Sequence, residues 1–293
     1  AEEYIQMITS YPNFLSSLRQ NTLKSNELAN ELSTGIEKLK AVYPNLKPAK
    51  IYFTIGCMRS NGTTIDSLVL IGSELAMADQ QTDISEFDGA TKEWLETFFN
   101  SNPIDNLVLL NVHEYIHTQQ KKQVNNLLSI AIREGVAEFV STLAMEMPSA
   151  TPAIAYGKNN AQGVLEKFEQ EMFYPNNQSK WFWSNYPNEF GVRDLGYYVG
   201  YQLCEHYYAQ AGDKEKAIKR MIELDYTNEV EVEDFVEQTR YFSTSLDSLY
   251  QRFENKRPYV TGIRQFENNS TNVDAGIRQI TIDFSEPVSY PHL

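Results

Sequence analysis

The chain has 293 residues, 42% of them hydrophobic and 12% aromatic, enough for a sizeable core in one large domain or two. Its 39 acidic against 25 basic residues leave a formal charge of −14, the opposite of what counterion-release binding to phosphate backbones requires, so nucleic acid and anionic membrane surfaces are poor partners. No run approaches the roughly 18–20 apolar residues that span a bilayer, so a soluble chain without a transmembrane segment is expected.

The opening AEEYIQMITSYPNF lacks the basic and apolar parts of a signal peptide and lacks an initiator methionine, which suggests that residues upstream were removed. Leu18, Leu28, Leu32, Ile36 and Leu39 recur near helical spacing and predict an amphipathic helical stretch over 13–42, interrupted near Gly35 and closed by Pro44 and Pro48. IYFTIG and IDSLVLIGSEL read as two neighbouring strands, with CMRSNGTT as the turn between them. Ser101-Asn102-Pro103 is a helix start, with a capping side chain before proline, and that helix is predicted to run to about Lys121. A second helix begins near Asn125 and stops at Pro148. The aromatic stretch 168–190 contains two prolines and reads as an irregular lobe. Asp194 can cap a helix that continues to Gly212, and KEKAIKRMIEL supplies another. Beyond Arg257 helix formers give way to alternation such as Ile280, Ile282 and Phe284. The fold class is therefore mainly α with a small β-sheet (α+β), divided into a unit over 1–257 and a short β-rich tail over 258–293. The two cysteines, Cys57 and Cys204, are expected as buried thiols rather than a bridge.

Two of the four histidines, His113 and His117, flank Glu114 in the pattern HExxH. At about 100° per residue, positions i and i+4 share one helix face, so both imidazoles can reach a single tetrahedral zinc. Glu114 projects near the same edge and can take a proton from a metal-activated water and pass it to a leaving amine. A catalytic zinc needs a third protein ligand. Gln120 and Gln123 stand where an HExxHxxGxxH extension needs glycine and histidine, so a carboxylate must complete the site. Glu134 and Glu138 lie on one face of the next helix, and an antiparallel helical hairpin would bring that face over the histidines. Glu134 is assigned as the ligand and Glu138 as the acceptor for a histidine's free N–H.

HEYIH followed by EGVAEF resembles the gluzincin metallopeptidases, with Arg133 where asparagine is usual in the aminopeptidase branch. That resemblance implies a Tyr-x-x-Gly segment whose tyrosine stabilises the oxyanion; here Tyr197-Tyr198-Val199-Gly200 matches, with Tyr201 and His206 as alternative stabilisers. More broadly, residues 50–225 are similar to predicted zinc-dependent proteases of Bacteroidetes, which include exported lipoproteins related to a gliding-motility lipoprotein. This implies an exported, periplasmic or cell-surface chain with a lipid anchor upstream of residue 1. The tail resembles the start of a bacterial immunoglobulin-like module.

The expectation is a zinc peptidase, with one zinc ion per chain, acting on a peptide or protein substrate and leaning towards endopeptidase activity. The strand around Ser67 to Glu74 is the expected edge for substrate pairing. Two rivals are a non-catalytic binding or assembly protein on the same scaffold and a zinc hydrolase of non-peptide amides or peptidoglycan.

Overall fold

The computed structural model describes residues 2–184, 188–267 and 269–287. The helical opening comprises α1 (Glu2–Ser10), α2 (Pro12–Leu23) and α3 (Ala29–Val42). The break falls at a 3₁₀ turn over Lys24–Asn26, not at Gly35. Gly35 stays inside α3 because a Cβ there would lie 2.9 Å from Val108 and 3.1 Å from Val112, so it lets α3 approach a neighbouring helix.

Three strands follow: β1 (Lys50–Thr54), β2 (Gly62–Ile65) and β3 (Leu68–Gly72). The stretch predicted as a turn thus contains a strand of its own, and the order across the sheet is β1-β3-β2. β3 pairs parallel with β1 and antiparallel with β2. The expected substrate edge is therefore wrong for β3, which is paired on both sides; the edge strands are β1 and β2. Val69 and Ile71, two residues apart on one face of β3, are fully buried and anchor the sheet on the main core, while Leu68 and Leu70 on the other face are only half-buried.

After α4 (Ser73–Ala76) and α5 (Gly89–Phe99) come the two helices that matter most, α6 (Leu107–His117) and α7 (Leu127–Met145). Pro103 opens only a 3₁₀ turn, Pro103–Asn106, because Asn102 takes a left-handed φ of 47° and its side chain accepts from the Gln80 amide instead of capping. α6 ends at His117, short of Lys121. Both helices are buried on nearly every face, as their sequences LVLLNVHEYIH and LLSIAIREGVAEFVSTLAM demand. Asn126 caps α7 by accepting from the Ser129 amide at 2.8 Å, and left-handed Glu146 closes it ahead of Pro148.

The expected irregular lobe is partly helical. Phe168 belongs to α9 (Ala161–Glu171), which follows α8 (Pro152–Asn159), and a short α10 (Gln178–Trp181) comes after it; residues 185–187 of this stretch lie outside the described residues. α11 (Leu195–Gln210) is present, but Asp194 does not cap it: its carboxylate accepts from the Trp183 amide and from Arg193 Nε. α12 (Lys214–Glu223), α13 (Glu229–Thr239) and α14 (Leu246–Lys256) complete the helical body. The tail forms an antiparallel ribbon of β4 (Val260–Ile263) and β5 (Ile282–Phe284), with Tyr259, Val260, Ile280 and Ile282 exposed. The main core joins α3, the sheet, α6, α7 and α11, while a smaller one around Phe14, Leu18, Phe87, Leu95 and Phe99 lies under α2 and α5. Cys57 and Cys204 are both free thiols, and Cys204 is buried in the main core. No helix among the described residues is long and apolar enough to cross a membrane.

Candidate metal centre

α6 and α7 form the helical hairpin that carries the candidate donors. The Nε2 atoms of His113 and His117 lie 3.2 Å apart, and Glu134 Oε2 lies 3.6 Å from the first and 3.3 Å from the second. These separations are close to the edge of about 3.3 Å in a tetrahedron of zinc-to-ligand bonds near 2.0–2.1 Å. All three residues are buried, and the group could hold a metal ion.

The hydrogen bonds behind the rings decide which nitrogen faces inward. Glu138 Oε2 lies 2.9 Å from His113 Nδ1, and its other oxygen accepts from Ser149 and Thr151. Gln120 supports His117: its Nε2 donates to the Arg133 carbonyl at 2.9 Å, and a carbonyl can only accept, so its amide oxygen must face His117 Nδ1, 2.6 Å away. Both rings therefore carry hydrogen on Nδ1 and turn Nε2 towards the Glu134 carboxylate. Three potential donor atoms converge in a buried space, where a proton or a metal ion can bridge them. Gln120 carries no recognised motif signal; its place three residues after His117 in sequence, just beyond the helix end, is what lets it reach back to that ring.

The electrostatics follow from this crowding. Burial alone would raise the Glu134 carboxyl, but the two histidines hold it well below the usual carboxylate range. For His113, burial opposes the charged ring, yet hydrogen bonds to Glu134 and Glu138 push it up to about 10. Glu114 is not among the donors. Burial raises its carboxyl, and the adjoining histidines only partly offset that. Gly62 makes room for it, since a Cβ on β2 would lie 2.5 Å from Glu114 Oε1; the edge strand thus runs directly against this carboxylate. Arg133 Nη1 contacts Glu134 Oε1 at 3.3 Å, so one oxygen of that carboxylate faces the histidines and the other a guanidinium.

α11 supplies the aromatic side. It packs against α7 through Gly135 and Gly200, where a Cβ on either residue would collide with the opposing backbone. This close approach places the Tyr197 ring 6.2 Å from that of His113. Its hydroxyl accepts from Trp183 Nε1 at 3.0 Å and is pushed well up by burial and by the Glu134 charge, so it remains a neutral donor. Tyr201 instead sits edge-on to Phe139 at 5.5 Å, and His206 lies 5.0 Å from the Tyr241 ring. Of the three candidate stabilisers, Tyr197 is the one that packs beside a donor histidine.

Fold and site together define a mainly helical α+β chain with an HExxH-plus-glutamate donor set on a helical hairpin. The chain belongs to the family of the gliding motility protein GldB, whose sequence profile matches residues 3–230. No curated protein and no solved structure gave a match. Every donor and support described above lies within the matched stretch.

Proposed function

We propose that this chain is a zinc-dependent peptidase of gluzincin type that hydrolyses peptide bonds. The observation that carries the reading is the convergence of His113, His117 and Glu134 with Glu114 buried beside them but not used as a donor, because a purely structural metal site has no need of a spare carboxylate. Zinc held there would activate a water and polarise the scissile carbonyl. Glu114, with its proton affinity raised, takes the proton from the attacking water and delivers it to the leaving nitrogen. Tyr197 donates its O–H to the oxygen that gains charge, its acceptor side being already occupied by Trp183. Substrate backbone pairs with the free edge of β2, which runs over Glu114.

The family's description as a gliding motility protein favours a second reading, a non-catalytic binding or assembly role on the same scaffold. Under either reading we place the chain at the cell envelope as a lipoprotein. Metal analysis of protein purified without chelators, together with peptide digestion by the parent and by Glu114→Gln, tests the first reading. One zinc per chain and activity reduced by roughly 10²-fold or more in the variant are expected. Absence of stoichiometric zinc, or full activity in Glu114→Gln, would overturn it. Bound zinc with no cleavage of any peptide supports the second reading.

A further inference from the structure

Trp183 stands out among the three tryptophans as the exposed one, 54% accessible against 2% for Trp181. Its backbone takes a left-handed φ of 52°, a region that bulky residues rarely occupy. Such a conformation persists only when surrounding contacts over-determine it. Two hydrogen bonds do so: the Trp183 amide donates to Asp194 Oδ1 at 2.6 Å, and the indole Nε1 donates to the Tyr197 hydroxyl at 3.0 Å. Phe182 backs the ring at 5.2 Å. Asp194 is itself left-handed, with φ of 64°, and Arg193 Nε holds its second oxygen at 2.6 Å. The fold thus clamps a large apolar surface in an uncommon backbone state, one hydrogen bond away from a tyrosine that packs beside a candidate metal donor. Packing accounts for neither the strain nor the exposure, because a side chain kept for the core would be covered.

We propose that Trp183 is a substrate-recognition residue whose exposed indole face receives an aromatic or bulky apolar side chain of the peptide beside the bond being cleaved, while its N–H fixes the Tyr197 hydroxyl. The inference rests on the peptidase reading and names its substrate class. The indole N–H only donates, so Tyr197 must accept from it, and the phenol proton, which faces the Glu134 carboxylate in the resting chain, is the one that turns to the substrate oxygen. The ring face offers stacking and apolar contact without any charge requirement.

The test uses zinc-loaded Glu114→Gln protein, which should bind without turnover, and calorimetric titration with acetyl-Ala-Phe-Ala-amide and acetyl-Ala-Ala-Ala-amide. The phenylalanine peptide should bind about tenfold or more tightly. In the same background Trp183→Phe should keep that preference, whereas Trp183→Ala should reduce it to about twofold or less. An undiminished preference in Trp183→Ala overturns the subsite. If a chain that holds its zinc binds neither peptide, the peptidase reading falls and the subsite with it. With Glu114 intact, Trp183→Phe should lower kcat several-fold at unchanged KM by releasing the phenol; an unchanged kcat overturns the Tyr197 part.

Discussion

At the scale of single residues, the candidate centre depends on what stands behind its donors as much as on the donors themselves. An imidazole whose Nδ1 loses its acceptor can rotate or change tautomer, and its Nε2 is then no longer aimed at the metal. Gln120→Leu removes the acceptor for His117 without disturbing the apolar face of α6. Glu138→Ala removes the acceptor for His113 and leaves Ser149 and Thr151 without their carboxylate. Each change is expected to weaken zinc binding by about 10–100-fold, read by competition with a chromophoric chelator, while far-ultraviolet dichroism stays at the parent level. Equal zinc affinity in Gln120→Leu would show that His117 is held by its helix alone. The pattern HExxH announced the two histidines and Glu114, and the charge pair on α7 announced Glu134 and Glu138. A glutamine has no comparable signal, because its role arises only once α7 brings the Arg133 carbonyl within reach.

Among the elements, the decisive contact is that of α7 with α11. Gly135 and Gly200 let two backbones touch, and that touch sets how far Tyr197 stands from Glu134 and His113. Gly200→Ala would drive a methyl group into the Ala131 carbonyl and is expected to cost about 1–3 kcal/mol, the usual range for overpacking. Gly212→Ala, with open space around it, serves as the neutral control. Chemical denaturation of both variants checks the difference, and equal midpoints would mean that α11 shifts freely along α7. Helix periodicity made most of these elements legible in the sequence, and the prolines marked many of their ends. The sheet order was not legible. β2 is polar, GTTI, and looks like a turn until antiparallel backbone pairing with β3 draws it in as an edge. The Pro103 start also misled, because a local cap signal lost to the bond that Asn102 makes with Gln80.

For the whole molecule, a net charge of −14 coexists with ion pairs that tie distant segments together. Lys121, just beyond α6, donates to Asp225 Oδ2 at 2.8 Å and so joins the donor hairpin to the turn between α12 and α13. Its hydrogen bonds to Lys121 and Thr227 lower the Asp225 carboxyl from 3.8 to about 2. A carboxyl depressed by folding contributes stability that is present above its unfolded value and is lost as pH falls through its folded value. Thermal melts of the parent should therefore lose stability between about pH 4 and pH 2 more steeply than melts of Asp225→Asn, with the two curves converging at the acid end. Parallel curves would show that Asp225 is not depressed. The position of the candidate centre in the chain has a further consequence, for the order of folding. From His113 to Thr151, donors, supports and the connection between their helices follow one another within a short contour, so closing the centre needs little long-range search. An ion captured by that hairpin would be bound before α11 settles on α7, a far longer-range contact, which makes the centre a template for assembly as well as its product.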